Sequence, residues 1–198
     1  MEIAKMSREG CRKDALRRGL PYNDGMDDLY ITHYYFAGTD PWKNIMNLPE
    51  DEAFRMAGEL AAAHPDTTSF GRFADFKNYY PRRKAADEYV REKFIAIGGR
   101  PELDHPFSFV LLECEYLRKW FSDGESFRIS LAEIPDEVIS FTVGDSCAQI
   151  ERGMTPEVFT KQMLLQRIYE HDGSPEKYLE EVLNPFAYVE VQLWTVLK

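Results

Sequence analysis

The segment 186–197, FAYVEVQLWTVL, organises the reading of the whole chain. β-Branched and aromatic residues dominate it, and no glycine or proline interrupts it, so a β-strand is expected. Phe186, Ala187, Tyr188 and Val189 precede Glu190; Val191, Leu193 and Trp194 follow it. The apolar residues point to both faces, as expected for a strand internal to a sheet and covered on each side. A carboxylate in such a strand costs several kcal/mol unless it is paired or faces a cleft. Two readings of Glu190 are therefore open: it is paired for structure, or it acts.

Working back from this strand, elements mix without a regular βαβ alternation. Strands are expected at 29–36, 107–112, 127–131 and 138–143, where apolar and β-branched residues cluster. Short helices are expected at 42–48, 113–121 and 145–151. Pro49 opens another, with Glu50, Asp51 and Glu52 where acids favour the helix dipole. An amphipathic helix is expected over 82–97, ending at Gly98-Gly99. Thr155-Pro156 is expected to cap a helix to about 169, and Ser174-Pro175 one to about 183. Between them, 65–81 reads as an irregular loop rich in aromatics: Phe70, Phe73, Phe76, Tyr79 and Tyr80. The pattern predicts an α+β fold with a mixed or largely antiparallel sheet and several surrounding helices.

The 198 residues carry 24 Lys and Arg against 34 Asp and Glu, a net charge of −10, which disfavours general affinity for nucleic acid. The charge is uneven: residues 1–20 are +3 and the remainder −13. We read 1–20 as a basic N-terminal arm and 21–198 as a single domain, with Pro21-Tyr22-Asn23-Asp24-Gly25 as the turn between them. No apolar stretch is long enough to span a membrane, and the N-terminus lacks an apolar signal segment. Cys11, Cys114 and Cys147 are odd in number, far apart and without metal spacing, so they read as reduced, packed thiols and the location as cytoplasmic. No histidine pair has metal-ligand spacing, and GxGxxG, GxxxxGK[ST] and GxSxG are all missing. Metal, Rossmann, P-loop and serine-elbow chemistry are not expected.

Three pieces form a set: Leu29-Tyr30-Ile31-Thr32-His33-Tyr34-Tyr35, then ISFTVGDSCAQ over 139–149, then Tyr188-Val189-Glu190-Val191-Gln192. This order resembles the ADP-ribosyltransferase fold, in which a first-strand His or Arg, a middle-strand Ser-x-Ser/Thr and a late-strand Glu surround NAD. The run LYITHYYFAGTDPWKNIM over 29–46 also looks like the opening of that fold's DNA-modifying toxin branch. Tyr188 stands where many members have Gln or Glu, and no Arg follows Tyr30. The whole chain also resembles a set of uncharacterised bacterial proteins of similar length.

The resemblance implies a transferase that uses NAD as substrate. Glu190 would stabilise the oxocarbenium-like centre, with Ser140 or Thr142 holding the sugar or supporting Glu190. His33 would contact the adenosine ribose. Arg82 and Arg83, expected at a helix start, would clamp the pyrophosphate, and the aromatic loop, Tyr80 included, would stack on nicotinamide. Two other classes stand beside this one. An unrelated enzyme could use a carboxylate and arginines in the cleft between residues 65–83 and the sheet. A non-enzymatic interaction or regulatory protein could use the acidic body and basic arm to bind a protein partner.

Overall fold

The computed structural model describes residues 29–122, 124–183 and 186–197; the expected arm 1–20 lies outside them. Strand β1 (Tyr30–Tyr35) leads to helix α1 (Glu50–Ala63), the short α2 (Thr68–Gly71) and the long α3 (Phe76–Ala96). Strand β2 (Phe107–Leu111), α4 (Glu115–Trp120), β3 (Glu125–Ser130) and β4 (Ile139–Val143) follow. Then come α5 (Ser146–Glu151), β5 (Val158–Thr160), α6 (Lys161–Glu170), α7 (Pro175–Val182) and β6 (Val189–Leu193). The strands form one six-stranded sheet in the order β3-β1-β2-β6-β4-β5, antiparallel throughout. The fold is α+β, and β6 is internal, between β2 and β4.

Residues opposite one another across a sheet share a face. Register aligns Thr142 with Glu190, Glu190 with Val110, and Val110 with Thr32. Alternation then gives the sheet two unlike faces. Ile31, Phe109, Phe141, Val191 and Leu193 lie on one, packed with Leu164, Ile168 and Tyr178 of α6 and α7. Each such side chain contributes about 1.5–3 kcal/mol by leaving water. Thr32, Ser108, Ser140, Thr142, Glu190 and Gln192 lie on the other. Helix α3 covers the far end of this polar face, where Val90 and Phe94 pack on Val158 and Trp194.

Two local expectations are corrected. The stretch 65–81 is largely helical, and α3 starts at Phe76 rather than at Arg82, with Pro81 inside it. Pro81 is the sixth residue of α3 and gives up the N–H that would pair with the Lys77 carbonyl; the turn around it is held by Phe76 and Tyr80 in an aromatic cluster with Phe70 and Phe73. The helix expected after Thr155-Pro156 is instead β5 and then α6, because Thr160 Oγ1 accepts the Met163 N–H and caps the helix there. Ser174 caps α7 as expected, accepting from the Lys177 N–H.

The β1–β2 pairing is short, aligning only Ile31 with Leu111 and Thr32 with Val110, whereas β1 pairs with β3 along six positions. Past Thr32 the His33 ring takes the Ser108 carbonyl that a further ladder bond would use, with Nδ1 and O 2.8 Å apart. Asn44 Nδ2 and Asn47 Nδ2 hold the segment after β1 to the carbonyls of Pro106 and His105, both at 2.8 Å. A cavity opens where β1 and β2 part.

Candidate functional site

The cavity holds about 450 Å³, within the usual range for small-molecule sites. Glu190, Tyr188, Asp145, Arg83, His33 and Ser108 line its polar end. Phe36, Phe70, Phe73, Tyr79, Trp120 and Phe121 are among the aromatic residues lining the rest. Its charged lining balances: Lys43, Arg72 and Arg83 against Asp40, Asp145 and Glu190.

Glu190 is 4% exposed. Its Oε2 accepts from the Ser146 backbone N–H at 2.8 Å and contacts Thr142 Oγ1 at 3.2 Å. Thr142 has one proton to give, and Gly144 O competes for it at 3.2 Å, so the Ser146 N–H is the firmer support. Burial pushes the Glu190 carboxyl above its ordinary range, and neighbouring Asp145 adds to this; Arg83 and the Ser146 bonds oppose it. Asp145 caps α5 through Oδ1, which accepts the Ala148 N–H at 2.8 Å, and its Oδ2 accepts the Tyr188 hydroxyl at 3.2 Å. Burial, then Asp145 and Glu190, raise the Tyr188 phenol, so it stays a hydrogen-bond donor.

Arg83 projects from α3 into the cavity wall, its side chain 12% exposed. Nε lies 2.9 Å from Asp87 Oδ1, and Nη2 donates to Ser108 Oγ at 3.3 Å. Burial works against this charge, but Asp87, Tyr79, Glu190 and Asp145 outweigh it and hold Arg83 firmly cationic. His33 shares its face of the sheet with Phe109 and Phe127, ring centroids 4.9 and 5.5 Å away, the face opposite that of Glu190, and it also lines the cavity. Burial lowers its pKa, against the carbonyls of Ser108 and Pro41. A carbonyl only accepts, so Nδ1 carries the proton toward Ser108.

The residues expected from the sequence divide. Glu190, His33 and Arg83 line the cavity, and Thr142 touches Glu190 from behind without lining it. Ser140 does not line it: its hydroxyl donates to Gln192 Oε1 and accepts from Trp194 Nε1, both at 2.9 Å, in the packed sheet. Arg82 does not either. One helical residue turns the side chain by about 100°, and Arg82 points out, 3.1 Å from Glu151 and bonded to the Asn78 carbonyl. Tyr80 is packed between Phe54 and Phe76, and its neighbour Tyr79 lines the cavity instead. Cys147 is buried, and burial pushes its thiol up to about 11, which removes it as a nucleophile at neutral pH.

Sequence reasoning missed Asp145, Tyr188, Lys43 and Arg72 as lining groups, and Asp87 behind Arg83. Asp145 carried a visible signal, since an Asp three residues before Ala148 at a strand end marks a helix cap. Asp87 carried another, standing four residues after Arg83 on a helix. Among the described residues no helix is long and apolar enough to cross a membrane. Compared with models of known families, with curated proteins and with solved structures, the chain matches none.

Proposed function

We propose that this chain is an ADP-ribosyltransferase-like protein that cleaves the nicotinamide–ribose bond of NAD and transfers the ADP-ribosyl group. The observation that carries this reading is the meeting of Glu190 and Arg83 in one cavity, a nearly buried carboxylate and a nearly buried guanidinium beside an aromatic chamber. The chemistry asks for such a pair. As the C1′–N bond breaks, its electron pair goes to the nicotinamide nitrogen and the ribose gains oxocarbenium character. Ionised Glu190 stabilises that charge through a low-dielectric path, and the Ser146 N–H fixes its orientation. Arg83 grips a phosphate oxygen of the leaving half's partner, the ADP-ribose. The aromatic walls take a flat ring by stacking. An acceptor nucleophile or water then attacks C1′ and loses its proton.

Nicotinamide release from NAD by the wild type and by Glu190→Gln tests this. The substitution keeps size and an acceptor for the Ser146 N–H while removing the charge. A loss of about 10²–10³-fold in rate is expected, the usual scale for one preorganised electrostatic group. Equal rates in the two proteins remove Glu190 from the chemistry. No NAD binding by the wild type removes the transferase reading and favours the interaction-protein class.

A further inference from the structure

Behind the cavity wall lies a second polar cluster that the proposed chemistry does not use. Asp87 of α3 is 3% exposed and His105, in the loop before β2, is 8% exposed. Asp87 Oδ1 lies 2.9 Å from Arg83 Nε, and its Oδ2 lies 2.8 Å from His105 Nδ1. A carboxylate oxygen accepts, so His105 donates from Nδ1. His105 is itself fixed by its backbone: its carbonyl accepts from Asn47 Nδ2 at 2.8 Å, and its N–H donates to Asn47 Oδ1 at 3.3 Å. The chain of contacts therefore runs from the segment after β1, through His105 and Asp87, to the guanidinium in the cavity.

The geometry of Arg83 shows what this chain achieves. A guanidinium carries five N–H donors in a rigid plane. Asp87 engages the Nε side, and one Nη2 proton goes to Ser108 Oγ. The three other Nη protons have no hydrogen-bond acceptor among the described residues, although the side chain is only 12% exposed and lines the cavity. A buried guanidinium with free Nη donors is suited to an oxyanion. It can serve only if its plane is held, because a flexible side chain loses rotamer entropy each time a ligand binds.

We infer that Asp87 and His105 are positioning residues that hold Arg83 with its free Nη donors turned toward a ligand oxyanion. This rests on the reading of the cavity as a nucleotide site and names the group of the nucleotide that is gripped, a phosphate of the ADP half. Neither residue lines the cavity. Both act through Arg83.

Calorimetric titration of ADP into the wild type, Arg83→Ala, Asp87→Ala and the double variant tests this. Asp87→Ala is expected to weaken ADP binding about 10–100-fold, the scale of a charged hydrogen bond. In the Arg83→Ala background the same change is expected to have no further effect, because its route is gone. A merely structural Asp87 would lower affinity equally in both backgrounds, which overturns the inference. If Asp87→Ala does not fold, Asp87→Asn and His105→Ala replace it. Each is expected to lower affinity with Arg83 present and not without it, and wild-type affinity in both overturns the inference. Failure of the wild type to bind ADP overturns the nucleotide reading and this one together. Tight wild-type binding that Asp87→Ala leaves unchanged overturns the positioning role alone.

Discussion

Replacing Gly144 by alanine probes the turn on which the site hangs. Gly144 joins β4 to α5, with φ at +80°. Its N–H donates to the Tyr188 carbonyl at 2.8 Å, and the next two residues are Asp145 and Ser146, which hold Tyr188 and Glu190. An added Cβ would lie 2.3 Å from Phe186 Cδ1 and 3.0 Å from Cε1 and Cγ. Two penalties follow. The left-handed backbone costs an L residue about 1–2 kcal/mol. Phe186 must also swing away and give up part of its burial, which costs about another 1–2 kcal/mol. The expected total is about 2–4 kcal/mol, read by urea denaturation. Gly153→Ala is the control: its φ is +73°, but an added Cβ there meets nothing within 4 Å. It should cost only the backbone part, about 1–2 kcal/mol. The difference between the two variants isolates the clash. Equal losses, or a Gly144→Ala loss below about 0.5 kcal/mol, would refute the close approach of Phe186 to this turn.

Three further outcomes are expected. Glu190 has a folded pKa raised above the ordinary value of 4.5, so the stability tied to its protonation is present below that value and is lost as pH climbs through the folded pKa. Urea melts should therefore show Glu190→Gln gaining on the wild type as pH rises from 4.5, and a shrinking gap would contradict the direction of the shift. His33 has the opposite sign: its pKa is lowered from 6.5, so its contribution is present above 6.5 and is lost as pH falls through the folded value. His33→Gln should flatten the acid-side decline, and an unchanged decline would show that His33 titrates as it does in the unfolded chain. Arg82→Ala should leave ADP affinity at the wild-type level and cost less than about 1 kcal/mol, because its partner Glu151 is also partly exposed; a loss matching that of Arg83→Ala would mean that both arginines reach the ligand.

The α+β class, the internal terminal strand and the singular position of Glu190 were legible in the sequence, because strand alternation and apolar runs are local signals. FAYVEVQLW carries valines and a leucine on one parity and Glu190 and Gln192 on the other, so burial of the strand on both faces forces its carboxylate to meet polar partners. The Ser174 cap of α7 was legible for the same local reason. Tertiary structure alone decided which arginine faces the cavity. Arg82 and Arg83 are equivalent in composition, and only the start of α3 at Phe76 and its packing on the sheet turn Arg83 inward. It likewise decided that the His33 ring meets the Ser108 carbonyl and lines the cavity, since register between strands 75 residues apart leaves no mark on either one. The pairing of Asp87 with His105, 18 residues away in the loop before β2, belongs to the same class. Side-chain chemistry is written residue by residue, but the directions in which side chains meet are set by rotation along helices and register across sheets, and these exist only once the chain has packed.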